Sequence, residues 1–201
     1  MISTLISDMG KVILHFDNHI FFKKMASFCS FSAEKIAEMS RSHFDLVESF
    51  DTGKIGPEEF YSQIVGRLIA RIDFNHFFAI YNDVFSLHLP VLETMKKLRG
   101  KYRLVLLSNT DIQRFSFIKK KFPQILIFDD YVLSYEVGFM KPDPRIYLEA
   151  LRRSKSKATE CVFIDDIEEN IRAAEALGIK TIHFEPGTDL ERALREKGLS
   201  F

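Results

Sequence analysis

The sequence predicts an α/β protein in which a parallel sheet carries helices on both faces and a small helical segment is inserted near its start. Short apolar, strand-like runs alternate with helical patterns over residues 1–14 and 89–201, and this alternation is typical of a parallel sheet. Residues 17–86 lack such runs and show helical spacing throughout. A chain of 201 residues is long enough for one core with a small added module.

Five strands and five helices are predicted for the two α/β parts of the chain. The predicted strands are Leu5–Asp8, Arg103–Ser108, Tyr131–Ser134, Cys161–Asp165 and Lys180–Phe184. The predicted helices are Leu89–Leu98, Ile112–Phe122, Arg145–Arg153, Glu168–Leu177 and Leu190–Glu196. Pro144 stands at the start of the third helix, where proline is favoured. Gly178 follows the fourth helix, as is common at a helix end.

Helix signals also fill residues 17–86. Ser32 precedes a helical pattern in the N-cap position, and Pro57 begins another helix after a turn with two glycines. Twelve of the 20 phenylalanines lie between Phe16 and Phe85. Large rings fill a small helical module efficiently, so we expect most of them to form its core and a minority to face a binding site.

Composition argues against several classes of partner. Lys+Arg and Asp+Glu are 28 each, and this balance predicts neither a nucleic-acid partner nor attraction to an anionic membrane. The two cysteines, Cys29 and Cys161, do not make a disulfide framework, which suits a reducing compartment. The sequence shows no signal-peptide pattern and no apolar run of membrane-spanning length. We therefore expect a cytoplasmic protein that is a monomer or a weak dimer.

Four polar motifs lie beside the predicted strands or lead out of them. In chain order they are Asp8, Ser108-Asn109, Lys141 and Asp165-Asp166. The carboxyl ends of parallel strands form the crevice in which such folds bind ligands. Each motif alone has an ordinary structural explanation, such as turn chemistry for Asp8 near Gly10 or a helix N-cap for the Ser108 segment. Together they predict one polar site at this edge of the sheet.

The order and contexts of these motifs resemble the haloacid dehalogenase-like (HAD) hydrolase superfamily. The most specific segments are Lys141-Pro142-Asp143-Pro144 and Phe163-Ile164-Asp165-Asp166. The resemblance covers nearly the whole chain. It implies a Rossmann-like core made of residues 1–16 and 87–201, and an all-helical cap, residues 17–86, which closes over the carboxyl edge of the sheet.

The resemblance also implies a phosphatase that uses magnesium, a hard cation that prefers oxygen ligands. Asp8 would be the nucleophile and would form an aspartyl-phosphate intermediate. The metal ligands would be Asp8, Asp166 and the main-chain carbonyl of Gly10. Asp165 would bind the metal through water or orient the site.

Lys141 would be the second catalytic group, since positive charge must offset the repulsion between a carboxylate and an anionic phosphate. Ser108 and Asn109 would bind the substrate phosphate together with Lys141. Asn170 would either support the paired acids or lie on a helix surface. The implied substrate is a small phosphorylated metabolite, with sugar phosphates as one candidate class.

Gly10 is a departure from the common family pattern. Phosphatases of this superfamily usually carry a second Asp at this position, which protonates the leaving group, and such assistance contributes about 10²–10⁴-fold in rate. The substrate could have a good leaving group, as in the similar subgroup that includes sugar-1-phosphate phosphatases. Alternatively, His15, Asp17 or His19 could replace the missing acid, or the protein could be weakly active or inactive.

Two other functions remain open from the sequence. The dehalogenase branch also lacks the second Asp, but it usually carries a Ser-Ser-Asn segment where this chain has Asp165-Asp166. A non-catalytic protein that binds a phosphorylated ligand or another protein would also explain the missing acid. A pure scaffold, however, has no need to keep Asp8, Lys141 and Asp166 in one crevice.

Overall fold

The computed structural model describes the whole chain, residues 1–201, and contains seven strands. In chain order they are β1 (Thr4–Ser7), β2 (Leu14–Phe16), β3 (Phe85–Leu87), β4 (Arg103–Ser108), β5 (Asp130–Leu133), β6 (Cys161–Asp165) and β7 (Lys180–His183). Five of them form a parallel sheet in the order β5-β4-β1-β6-β7. Strands β2 and β3 form a separate antiparallel pair. The chain moves outward from β1 in one direction through β4 and β5, and in the other through β6 and β7.

Eleven α-helices surround these strands. They are α1 (Asn18–Met25), α2 (Ala33–Ser42), α3 (Phe44–Asp51), α4 (Pro57–Leu68), α5 (Phe74–Asn82), α6 (Leu89–Leu98), α7 (Ile112–Lys121), α8 (Ser134–Val137), α9 (Pro144–Ser154), α10 (Glu168–Ala176) and α11 (Leu190–Glu196). No helix has the length and apolar character that crossing a bilayer requires.

Successive side chains along each strand point to opposite faces of the sheet. Helices cover both faces, so both are buried. On one face, Leu5 and Leu104 pack in a core with side chains of α6, α7 and α11. On the other face, Ile6 and Val105 pack against α9 and α10. The predicted fold class, a parallel α/β core with helices on both faces and a helical insertion, is confirmed.

Helices α1–α5 enclose a hydrophobic core of their own. Its centre contains the fully buried rings of Phe50, Phe60 and Phe77, and the rings of Phe50 and Phe60 stack with their centroids 4.3 Å apart. Most phenylalanines of this segment therefore fill its interior, as the sequence indicates. Phe44 is an exception, since it is 56% exposed and lines the cleft described below.

The structure differs from the sequence prediction mainly in short elements. The pair β2–β3 and the four-residue helix α8 were not predicted, because three or four residues are too few to show a period. Strand β3 also crosses the predicted boundary at residues 86 and 87. Helix α8 ends at Gly138, whose φ of +79° is a conformation that favours glycine.

Candidate active site

Asp8 lies at the centre of the carboxyl edge of the parallel sheet. It directly follows β1, which pairs with β4 on one side and β6 on the other. Its backbone N–H donates to the carbonyl of Ile164 at 2.8 Å, so the sheet hydrogen bonding continues through Asp8 itself. Its side chain is only 10% exposed. The local backbone therefore holds a carboxylate in the crevice where such sheets bind ligands.

Lys141 joins two of the predicted acids. Its ammonium donates to Asp8 Oδ1 at 2.6 Å and to Asp165 Oδ2 at 2.6 Å, and its side chain is almost fully buried. Burial on its own would lower the pKa of Lys141, but the two carboxylates raise it above its usual value. Lys141 is therefore a fixed positive charge inside the acidic cluster. Most lysines lie exposed on the protein surface, but Lys141 does not.

Asn109 determines where Lys141 sits. Its side-chain amide donates to the carbonyl of Lys141 at 2.9 Å and its amide oxygen accepts from the backbone N–H of Lys141 at 2.7 Å. This pair of hydrogen bonds ties the end of β4 to the loop that carries the lysine. Ser108 is buried beside it and has only a long 3.5 Å hydrogen bond to the Asn109 carbonyl. Its hydroxyl can therefore reorient towards a ligand.

The paired acids occupy different environments. Both carboxylate oxygens of Asp165 are engaged: Oδ2 accepts from Lys141, and Oδ1 accepts from the backbone N–H of Ile167 at 2.8 Å and from Asn170 Nδ2 at 3.0 Å. Asp166 forms one ion pair, at 3.3 Å to Lys11, whose side chain is 58% exposed. Exposed pairs of this kind contribute little energy. Asp166 is therefore freer than Asp165 to bind another cation directly.

Asp8, Asp165 and Asp166 place carboxylate oxygens within 4.8 Å of one another. The pKa of Asp8 is raised to about 7, because burial and the charge of Asp165 outweigh the positive charge of Lys141, which lowers it. One lysine thus offsets only part of the negative charge in a buried place. Hard divalent cations prefer carboxylate oxygens, so the donor set and the uncompensated charge both fit magnesium.

A cleft of about 310 Å³ opens beside this cluster. Sheet residues form one part of its wall, and residues of the helical segment, including Phe44, Val47 and Asp51, form another. It also contains two basic residues that the sequence did not single out, Lys11 and Arg114. Lys11 belongs to the same turn as Asp8 and Gly10, whereas Arg114 reaches the cleft through the packing of α7.

Gly10 faces a filled space. A Cβ atom at this position would lie 3.0 Å from the ring of Phe16 and 3.9 Å from Asp8 Oδ2. The Phe16 ring therefore occupies part of the volume that a carboxylate side chain at residue 10 would need.

The three residues suggested as replacements for the missing acid do not line the cleft. His15 packs against the ring of His88 at a centroid distance of 4.4 Å. Asp17 caps α1 by accepting from the backbone N–H of His19 at 2.8 Å. Each has a local structural role instead.

The fold and the site define a parallel α/β protein with an acidic cluster and a buried lysine at the carboxyl edge of its sheet. A family model described as haloacid dehalogenase-like hydrolase matches residues 3–178. The chain belongs to this family, and the resemblance read from the motifs is confirmed.

Two curated relatives cover the whole chain or nearly so. D-ribitol-5-phosphate phosphatase of Bacteroides thetaiotaomicron is 27% identical over 206 residues, which cover 96% of this chain and 97% of that protein. Drimenol cyclase drtB of Aspergillus calidoustus is 24% identical over 213 residues. That match covers 100% of this chain but only 39% of the fungal protein.

Solved structures show the same fold. A crystal structure of a HAD family enzyme from Bacteroides thetaiotaomicron has a TM-score of 0.85 at 28% identity and covers 96% of this chain and 98% of its own. The complex of the wild-type enzyme with magnesium and inorganic phosphate has a TM-score of 0.80 at 25% identity. That match covers 97% of this chain and 100% of the other.

Proposed function

We propose that this protein is a magnesium-dependent phosphatase for a small phosphorylated metabolite, with sugar and sugar-alcohol phosphates as the first candidates. The observation that carries the proposal is the cluster of three carboxylates within 4.8 Å around a buried lysine. The carboxylates of such a cluster can hold a divalent cation, and the cation and the lysine together can offset the negative charge of a phosphate group. The similarity to D-ribitol-5-phosphate phosphatase and to an enzyme solved with magnesium and phosphate supports it.

Magnesium would be held by Asp8, Asp166 and the main-chain carbonyl of Gly10. When bound, it would offset the negative charge of the carboxylates and of the substrate phosphate. Asp165 would act indirectly, because its oxygens are taken by Lys141, by Asn170 and by the backbone of Ile167. Its role in this proposal is to position the lysine and the start of α10.

Asp8 would attack phosphorus and form an aspartyl-phosphate, which water then hydrolyses. Lys141 would neutralise the nucleophile and a phosphate oxygen in turn, since its ammonium already contacts Asp8 Oδ1 at 2.6 Å. Ser108 would donate its hydroxyl to a phosphate oxygen. Asn109 would hold Lys141 in place through its two hydrogen bonds and contribute to phosphate binding from the same loop.

Residues 17–86 would form the cap, and residues 1–16 and 87–201 the catalytic core. The cleft supports this division, because helix α3 contributes Phe44 and Val47 to a wall opposite the core residues. The cap would exclude bulk water and select the leaving group. As part of the same proposal, the enzyme would be a cytoplasmic monomer or weak dimer. The free thiols of Cys29 and Cys161 support a reducing compartment.

Hydrolysis of p-nitrophenyl phosphate and of a panel of sugar and sugar-alcohol phosphates tests the proposal, with Mg²⁺ and with a chelator. We expect turnover that requires the metal and that Asp8→Asn lowers by roughly 10³-fold or more, as loss of a nucleophile does. Asp189→Asn is the matched control, because Asp189 caps α11 and asparagine is an equally good cap. Absence of turnover by the wild type on every ester would refute the proposal.

A further inference from the structure

Loss of an alkoxide from a phosphate ester is slow without a proton donor for the leaving oxygen. Residue 10 cannot supply this proton, because glycine has no side chain. His15 and Asp17 are engaged outside the cleft. A phosphatase with this site that releases an alkoxide therefore needs an acid from another part of the cleft wall.

Asp51 is a carboxylic acid in that wall. It is the last residue of α3 and lines the same cleft as Asp8 and Lys141, but from the side of the helical segment. Burial and the charges of Asp111 and Arg114 determine the pKa of its carboxyl group, which forms no hydrogen bond with any protein group. Other acids near the site differ, since Asp111 is fully buried and caps α7. Asp51 is the acid of the helical segment that lines this cleft, and its carboxyl group forms no hydrogen bond with the protein.

The turn after Asp51 fixes its position relative to the core. Gly53 has a φ of +68°, and a Cβ atom there would lie 2.4 Å from the carbonyl oxygen of Tyr135. The backbone of this turn therefore packs directly on the backbone of α8. Thr52 strengthens the end of α3 by donating its hydroxyl to the Glu48 carbonyl at 2.7 Å. Asp51 is thus held at the contact between the helical segment and the core.

We propose that Asp51 is the general acid and base of this enzyme and takes the place of the carboxylate that Gly10 lacks. This inference rests on the proposed phosphatase function. In the first step Asp8 forms a bond to phosphorus, the bond from phosphorus to the leaving oxygen breaks, and the Asp51 proton moves to that oxygen, which releases an alcohol. In the second step water attacks phosphorus, its proton returns to Asp51, and the bond from phosphorus to Asp8 breaks.

The surroundings of Asp51 suit both steps. The pKa of Asp51 is raised to about 7, because burial and the negative charge of Asp111 outweigh the opposing guanidinium of Arg114. Tyr81, which faces the same group from α5, has its own pKa raised by burial and stays neutral. An acid with a pKa near the working pH is present in both protonation states, which is what a group that gives and then takes a proton requires.

The test compares substrates whose leaving groups differ in their need for a proton. For Asp51→Asn we expect the burst of nitrophenolate that accompanies phosphorylation of Asp8 to keep a rate within about 3-fold of wild type, because nitrophenolate leaves without protonation. Its steady-state turnover should fall, because the second step lacks its base. Turnover of the best alkyl phosphate of the panel should fall by about 10²–10⁴-fold, the usual contribution of a general acid. Asp51→Glu should restore part of the alkyl phosphate activity. The matched control is Asp45→Asn, at an exposed position in the first turn of the same helix.

The pH profile gives a second readout. Wild-type turnover of the alkyl phosphate should decline on the alkaline side as the acid loses its proton, and this limb should be absent from Asp51→Asn. Equal losses in the rate of leaving-group release from both substrates, or no loss on the alkyl phosphate, would overturn the role of Asp51 while leaving the phosphatase function intact. Absence of metal-dependent turnover of p-nitrophenyl phosphate by the wild type would overturn the function and the role together.

Discussion

Replacing Lys141 by methionine removes the only cation that contacts both Asp8 and Asp165. The lysine side chain is 2% exposed, and its ammonium lies 2.6 Å from a carboxylate oxygen of each acid. Methionine has a similar length and no charge, so the change tests the charge more than the packing. Two carboxylates would then share a buried site with no positive partner between them.

The expected cost follows from the burial of these charges. Removing one partner of a buried ion pair typically destabilises a protein by about 3–5 kcal/mol. For a chain of this size, a loss of about 3 kcal/mol lowers Tm by roughly 6–12 °C. Without metal, Lys141→Met should show a loss in this range. Magnesium should stabilise the variant more than the wild type, because the variant leaves two carboxylates without compensation.

Urea denaturation in a chelator and in Mg²⁺ measures both effects, and kcat/KM on p-nitrophenyl phosphate reports activity. We expect activity to fall by about 10²-fold or more, as when a preorganised electrostatic partner is removed. Lys11→Met is the matched control: its ion pair with Asp166 is exposed, so its stability should change by less than about 1 kcal/mol. Equal stability of Lys141→Met and wild type in the chelator would refute the reasoning.

Three further predictions concern the contact between the helical segment and the core. Gly53→Ala should cost about 2 kcal/mol or more in urea denaturation, because φ is +68° and a core carbonyl oxygen lies 2.4 Å from the new Cβ. Gly100→Ala shares a positive φ but meets nothing within 4 Å, so a cost equal to that of Gly53→Ala would contradict this account. Tyr81→Phe removes the 3.0 Å hydrogen bond to the buried Asp111 and should cost about 1–3 kcal/mol; an unchanged denaturation midpoint would show that this bond is not stabilising. The pKa of Asp51 is raised from 3.8 to about 7 on folding, so the folded state binds the proton more tightly and its contribution to stability falls as pH rises through this window. As pH rises from 5 to 8, the free energy of unfolding of Asp51→Asn should therefore increase by about 2 kcal/mol relative to that of wild type. Parallel curves of stability against pH for the two proteins would exclude this linkage.

Much of the core could be predicted from the sequence because its signals are local. Strands β4 and β6 were predicted with their observed bounds, since each is a continuous apolar run that ends in polar residues. Helix α6 was also predicted at its observed bounds. The polar motifs fell at the carboxyl ends of strands, and parallel strands bring those ends to one edge. The family and the acidic cluster therefore followed from the order of motifs along the chain.

The division of roles within the site required the tertiary structure. Asp165 and Asp166 are neighbours of the same type in the sequence, yet only the first is saturated by Lys141, Asn170 and a backbone N–H. The sequence does not show which of the two faces the lysine, because Lys141 belongs to a loop 24 residues from Asp165 in the chain.

The sequence by itself determined the sheet, its flanking helices and the motifs at its carboxyl edge, because periodicity and strand ends are properties of adjacent residues. Only the tertiary structure decided which acids from outside the motifs reach the cleft. His15 and Asp17 are closer to Asp8 along the chain but point to other partners. Asp51, in a helical segment without a motif, reaches the cleft because Gly53 allows its turn to pack on the core. The physical reason is that access to a cleft depends on how separate elements pack, and this information is not present in any short stretch of sequence.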